Sequence, residues 1–489
     1  MKRFLRSLMR SEMIIMLIAA VALLVLLFIE PIVGVANNGD FYRIMLAGGI
    51  DYADLKETAE ERFFGYFHAE YGYGVYGFGS YISSQVLFVF VAGLIGRMLH
   101  SELFDIRVLS ALYSVVLLVA LCIIVKYNKS TSEHSQSLFL NTALVICLSL
   151  VFLDIGYLAY FNSFFGESIT LLFMLLTFGL ALANIKTEQP SRWLLIAFYI
   201  SGLFLITTKL QNAPIGIIII LLGVRFWGIG QDLWWRRTIL IGSSVLLISM
   251  IAMYIGAPSH LKQANLYQTV FFGILKDSPD PSRDLKEMGL PDEFKVNAGT
   301  NYFQKDTVIK QNDPRIVEEL GKLSHKDVLL YYVKHPTRFV QKLERGAENG
   351  MSIRPYYLGS YEKSEGRPSG EISYMNSTWS EFKIAYMPKK LWFIALFYLV
   401  YVGILAVEYA RQRLRGRLFI EALLAIALIG IIAMVVPLLG DGEADLGKHL
   451  FLFNVCFDMM IVVAVLYLCR KAWAGALGIL KPRSPVTRG

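Results

Sequence analysis

Cysteine is scarce, and the signatures of several enzyme classes are missing. The 489 residues hold four cysteines, Cys122, Cys147, Cys456 and Cys469. Each lies in an apolar run or at its edge, without CxxC spacing, so neither a disulfide framework nor a zinc site is expected. No Walker loop, HExxH, GxSxG or dinucleotide fingerprint occurs, which leaves nucleotide, zinc-protease and serine-hydrolase chemistry without support. No internal repeat or low-complexity tract is visible, which counts against a transporter of duplicated halves. Charge is also thin, at 18% of residues.

What is abundant is apolar. Hydrophobic residues make up 55% of the chain and aromatics 13%, with a mean hydropathy of +0.51, too high for a soluble domain of this size. The apolar residues fall in runs of roughly 18 to 22, the length an α-helix needs to cross about 30 Å of hydrocarbon. A β-barrel would show shorter alternating segments. Barrels, secreted enzymes and soluble nucleic-acid binders are therefore excluded, and the fold class predicted is an all-α polytopic membrane protein. The N-terminus combines Lys2, Arg3, Arg6 and Arg10 with an apolar run from Met13 to Ile29 and the small residues Gly34-Val35-Ala36. The run is longer than a signal peptide's ~7 to 15 residues, so an uncleaved first helix is preferred.

About ten transmembrane helices are predicted, near 13–34, 107–125, 138–156, 168–185, 193–208, 214–229, 238–256, 390–409, 418–439 and 450–469. Residues 82–99 are long enough to cross as well, and charge decides. If they do not cross and the N-terminus is inside, the short basic loops all fall in the cytoplasm. These carry Lys126 and Lys129; Lys186 and Arg192; Arg225, Arg236 and Arg237; Arg411, Arg413, Arg415 and Arg417; and Arg470, Lys471, Lys481 and Arg483. Crossing would send them outward and bring the acidic loop of Asp441, Glu443 and Asp445 inside. Residues 82–99 are thus expected to be a re-entrant or interfacial outer helix, with both termini cytoplasmic. Much of the net charge of +8 is then topological. Three regions follow: an N-terminal transmembrane module 1–256 with a first outer loop 35–106, a small outer domain 257–389 with helical pieces near 314–324 and 326–349, and a C-terminal transmembrane module 390–489.

Ionisable groups at membrane depth are costly and mark functional sites. Four places carry them at the outer ends of helices. Asn37-Asn38-Gly39-Asp40-Phe41-Tyr42-Arg43 presents a carboxylate on an Asn/Gly turn, with an arginine three residues on; an ordinary loop or cap is the plain alternative. Asp154 precedes the aromatic connection Tyr160 to Glu167, which includes Asn162; aromatic faces with carboxylates suit a sugar or polar headgroup, whereas an interfacial belt explains only the aromatics. Thr207-Thr208-Lys209-Leu210-Gln211-Asn212 places a lysine on the outer side against the charge rule, as an anion ligand or a snorkelling side chain. Finally, Gly440 to His449 leads into the last helix, where Lys448 and His449 stand at a helix N-terminus that favours an anion such as phosphate. The alternative there is a solvated cap whose cations pair with the neighbouring acids.

At these residues, together with Tyr267 to Pro291 and Asp445 to Asn454, the chain resembles the GT-C class of integral-membrane glycosyltransferases, and more closely the bacterial WsfD-like hexose transferases of glycan biosynthesis. The resemblance spans most of the chain. It implies a polyprenyl-phosphate-linked sugar as donor, a glycan or lipid-linked acceptor, and a catalytic acid in the first outer loop, where Asp40 stands. Unlike many GT-C enzymes, no second acid lies two residues from Asp40, which leaves a divalent metal at that loop undecided. The function expected is transfer of a hexose at the outer face of a bacterial cytoplasmic membrane. Asp40 is the expected base, and Arg43, Asp154, Asn162, Glu167, Lys209, Gln211, Lys448 and His449 the substrate ligands, the three cations Lys209, Lys448 and His449 serving the phosphate. A lipid-linked glycan transporter and an O-antigen-type polymerase or ligase are the alternatives. The bilayer is an expected partner and nucleic acid is not.

Overall fold

The computed structural model describes residues 10–77, 81–128, 134–189, 191–230 and 232–480; Lys2, Arg3, Arg6, Lys129, Lys481 and Arg483 lie outside them. Among the described residues eleven apolar helices stand out: α1 (Ser11–Leu27), α2 (Gln85–Leu99), α3 (Arg107–Tyr127), α4 (His134–Phe152), α5 (Glu167–Lys186), α6 (Arg192–Thr207), α7 (Gly216–Arg225), α8 (Leu233–Ile255), α9 (Leu391–Ala410), α10 (Leu414–Gly440) and α11 (Phe451–Leu480). Among the described residues eight helical segments are long and apolar enough to cross a membrane. The chain is a polytopic, helical membrane protein. Of the ten predicted crossings, α1 and α6 fall short of that length at 17 and 16 residues, and α7 reaches it through the flanking turns of Leu210–Gly228.

Helix α5 forms the centre, with 89% of its apolar stretch buried, whereas α8 and α9 bury only 17% and 22% and turn broad apolar faces outward. Outward apolar faces are stable only in hydrocarbon. Between helices, hydroxyls pair inside the bundle, as in Thr177 with Ser201 at 2.7 Å and Tyr199 with Ser243 at 3.1 Å, a glue suited to a lipid-embedded interface.

The basic loops gather at one end. Arg415 donates to the carbonyl of Thr187, Arg225 pairs with Glu421, and Lys471 with Glu408. The long segments 35–106 and 257–389 meet at the other end. Helix α2 begins and finishes there: the Ser84 amide donates to the Thr207 carbonyl and the Ser83 hydroxyl to that of Thr208, while Arg97, in its last turn, donates to the carbonyls of Gly48 and Gly49. Both its ends are thus held at this end of the bundle.

Three short strands complete the first segment, an addition to the all-α expectation. β1 (Ile50–Asp51), β2 (Glu70–Tyr73) and β3 (Leu103–Asp105) form an antiparallel sheet in the order β1-β2-β3, with Ile50 opposite Tyr73 and Tyr71 opposite Phe104. The second segment divides. Residues from Tyr267 to Tyr332 have a core of their own around Phe271, Leu285, Phe294 and Ile316, but Met351, Ile353, Leu358 and Trp379 pack into the bundle's core. Pro336 separates the helices His325–Lys334 and Pro336–Asn349, since a proline starts a helix well and cannot continue one.

Candidate functional site

The site is assembled at the end where the long segments meet. Asn37 shapes its first element: its side-chain oxygen accepts from the amides of Gly39 and Phe41, and Asn38 accepts from the Asp40 amide. These Asx turns require Gly39 at φ 102°, a backbone open to glycine and strained for other residues. Phe41 anchors the turn edge-on against Phe164 and Phe165, with ring centroids 5.6 and 4.6 Å away. Asp40 is thereby fixed at the tip, immediately before the helical turn Tyr42–Met45.

Lys448 reaches it from 408 positions along the chain. Its Nζ donates to Asp40 Oδ2 at 2.6 Å and lies 2.9 Å from Asp445 Oδ2, which also accepts from Asn38 at 3.2 Å. Arg43 holds the other oxygen of Asp40 at 3.0 Å. The Lys448 side chain is only 2% exposed, so the solvated cap does not describe it. Lys209 pairs with Glu167, Gln211 donates to the His449 carbonyl, and His449 Nδ1 lies 3.2 Å from Asp441 Oδ2.

These contacts divide the proton affinities. Burial pushes Asp40 up, but Lys448 and Arg43 outweigh it and hold the carboxyl well below its usual range. Burial opposes charge on Lys448, yet Asp40 and Asp445 keep it firmly protonated. Lys209 is lowered by burial, with Lys448 adding to the effect. Burial and the two lysines lower His449 to about 3, leaving a neutral imidazole. Asp441, buried and close to Asp40, is raised well above an ordinary aspartate.

A cavity of about 870 Å³ joins this cluster to the membrane-facing helices. Its polar end is lined by Asp40, Arg43, Lys209, Asp441, Lys448 and His449, with Gln211 beside them. Its apolar wall runs over Ile217, Met250, Met253 and Pro437 on α7, α8 and α10, and Val317, Leu320 and Leu329 close it from the second segment. Such a space accepts a molecule with an anionic, hydrogen-bonding head and a long apolar body. Among the described residues no three His, Cys, Asp or Glu side chains come together as a metal site.

Two expected ligands stand elsewhere. Asp154 caps a helical turn and accepts from the amides of Gly156, Trp379 and Ser380. Asn162 is a latch, donating to the carbonyls of Leu27 and Val33 and bonded to the Ser110 hydroxyl. Neither lines the cavity: the fold itself uses their hydrogen bonds. Glu167 acts on the cluster through Lys209. Of the acidic loop, Glu443 is clamped by Lys342 at 2.5 Å and Lys276 at 2.7 Å, whereas Asp441 is a site residue that sequence did not single out. Its visible signal was only a carboxylate eight residues before His449.

The chain belongs to the family described as the YfdI N-terminal transmembrane domain, whose family model matches residues 1–477. Searches of curated proteins and of solved structures find no match.

Proposed function

We propose that the chain is a GT-C-like membrane hexosyltransferase that moves a sugar from a polyprenyl-phosphate carrier to a glycan or lipid-linked acceptor. The observation that carries this reading is the continuity of one cavity from Asp40, Arg43, Lys209 and Lys448 to the apolar faces of α7, α8 and α10. A lipid phosphate matches that gradient from cations to hydrocarbon. Charge-assisted contacts from the three cations suit its phosphate. The basic loops at the opposite end of the bundle favour that end as cytoplasmic, which supports a cavity on the outer face, where nucleotide sugars are absent and a lipid carries the donor.

In the reaction the acceptor hydroxyl attacks C1 of the hexose as the C1–O bond to phosphate breaks. The hydroxyl proton passes to Asp40, and polyprenyl phosphate leaves with the bonding electron pair. A single displacement inverts C1. The leaving phosphate carries more negative charge than the donor diester, so Lys448, Arg43 and Lys209 stabilise the transition state beyond the ground state. Resting Asp40 is a weak base because Lys448 and Arg43 hold it. A donor phosphate competes for those cations, and the carboxylate regains basicity as it binds.

The test is incubation of purified protein with radiolabelled polyprenyl-phosphate hexose and candidate acceptors. Transfer by the wild type, lost in Asp40→Asn, is expected. Failure with every lipid-carried hexose, or wild-type turnover by Asp40→Asn, would refute the assignment.

A further inference from the structure

Large aromatic side chains stand exposed where the two long segments meet. Tyr42, Phe64 and Tyr357 are 47%, 49% and 45% exposed. Single exposed rings are ordinary, but a contiguous group marks an interaction surface. The Tyr42 ring stacks parallel to that of Tyr52, centroids 6.3 Å apart, Tyr52 meets Phe63 edge-on at 6.5 Å, and the Phe64 ring lies 6.4 Å from that of Tyr357.

The group is fastened to the chains that carry Asp40 and Lys448. Asn37, which shapes the Asp40 turn, donates from its side chain to the Tyr52 hydroxyl at 2.9 Å and accepts at its carbonyl from the Phe64 amide at 2.8 Å. Two residues after Tyr357, the Gly359 amide donates to the Phe64 carbonyl at 2.9 Å. Two residues before it, Pro355 adjoins Gly447, where a Cβ would stand 4.0 Å from the Pro355 Cα. The cavity reaches Asp40 past Lys209 and Gln211, whereas the rings adjoin the same turn through Asn37. Phe64 keeps φ 66°, a costly conformation for a bulky residue, and a half-exposed ring repays little of that cost in packing.

Charges of both signs surround the rings and pair with one another: Lys363 with Glu61 at 2.6 Å, Arg367 with Glu371 at 2.7 Å and Arg62 with Glu57 at 3.6 Å. Ion pairs of this kind belong in water, which argues against rings sunk in a bilayer, and their mixed signs offer no field to a polyanion. A neutral sugar chain fits both features. Its C–H faces cover aromatic rings, and its hydroxyls can donate to carboxylates and accept from guanidinium groups. We infer that Tyr42, Phe64 and Tyr357 form the platform on which the neutral sugar chain of the acceptor lies, an inference that rests on the proposed transfer reaction. Donor and acceptor then approach Asp40 by separate routes, the lipid through the cavity and the glycan across the rings.

The experiment uses the full chain in nanodiscs and two probes: neutral oligosaccharides released from the surface glycans of the cells that make the protein, and polyprenyl-phosphate hexose. Phe64→Gly and Tyr357→Ala should each lose about tenfold of their affinity for the oligosaccharide, with the lipid bound as by the wild type. Tyr357→Trp, which keeps an aromatic face, should retain oligosaccharide binding. Glycine relieves the backbone at φ 66°, so Phe64→Gly should melt near the wild-type temperature while it loses the glycan. A wild type that binds none of the oligosaccharides overturns the platform, as does unchanged affinity in both variants. Equal weakening of both probes marks a structural role and overturns it too, and so does quenching of the added fluorescence of Tyr357→Trp by brominated phosphatidylcholine, which would place the ring in lipid. If oligosaccharide binding is lost as expected but the wild type transfers no hexose, the platform stands and the transfer reaction falls.

Discussion

Asp40 and Asp441 line one cavity with opposite proton affinities, and environments that separate two carboxylates in this way separate their roles. Asp40 stays ionised and can accept a proton; Asp441 keeps its own. Asp40→Asn should lower hexosyl transfer by about two to four orders of magnitude, the usual weight of a general base, while Asp441→Asn, which imitates a protonated acid, should stay within a few-fold of wild type. Equal losses in both would remove the distinction. The pH profile carries the same sign. With its cations in place Asp40 protonates only below the ordinary aspartate range, so the acid limb of kcat/KM, which reports the free enzyme, should lie below about pH 4. Donor phosphate draws off Lys448 and Arg43, so the limb of kcat should move to higher pH; coincident limbs would contradict that competition. His449 gives a stability prediction. Its folded value near 3 lies below an unfolded histidine's ~6.5, so on acidification the unfolded state takes up a proton that the folded state refuses, and stability falls from about pH 6.5 downward. His449→Gln should flatten that fall in thermal melts. That Asp40, Lys448 and His449 share one cavity was legible because ionisable residues at helix ends stand out in apolar sequence. Asp154 and Asn162 were not separable from them, since residue type does not reveal that amides and carbonyls already occupy their side chains.

At the scale of elements, the loop between α10 and α11 sets the site, and Gly442 sets the loop. It has φ 60° and a Cβ there would stand 2.5 Å from the Gln268 carbonyl oxygen and 3.0 Å from the Gly273 backbone. The turn Gln268–Ile274 therefore presses directly on the chain that carries Asp441, Asp445 and Lys448. Gly442→Ala should cost about 1–3 kcal/mol through overpacking and depress turnover, whereas Gly440→Ala, with nothing within 4 Å of its Cβ, should be neutral; comparison of melting temperature and activity checks both. Helix α2 gives a second prediction. Because both its ends bond to the same end of the bundle, cysteines at Glu102 and Ser282 should react with an impermeant reagent from the same side, and one at Gln412 only from the other. Opposite sidedness of Glu102 and Ser282 would mean that α2 crosses. The spans were legible from apolar run length, eight of the ten expected reaching crossing length among the described residues; loop charge gives the expectation for α2 that the labelling tests. The strands were not, because pieces of two to four residues show too little alternation to register against the loops around them.

Across the whole molecule, the bundle puts its basic loops at one end and, at the other, a cavity that opens from buried charge onto hydrocarbon-facing helices. The polar end explains how a phosphate could be held, but a free sugar phosphate would need no more than that. The apolar wall over Ile217, Met250, Met253 and Pro437 makes a different demand, since it gains only from a ligand with a hydrocarbon chain. Covering ~100 Å² of isoprenoid contributes about 2.5 kcal/mol at 25 cal/mol per Å², roughly sixty-fold in affinity. Donors with a full-length polyprenyl chain should therefore show a lower KM than analogues truncated to one or two isoprene units. Ile217→Trp narrows the wall at a half-exposed residue that lines the cavity. It should raise KM for the long donor by about tenfold, leave KM for the truncated analogue near wild type, and leave kcat intact, because the tail takes no part in the displacement at C1. Equal KM values for long and short donors in the wild type would show that the wall does not carry the lipid, and the continuity on which the proposed donor rests would lose its meaning.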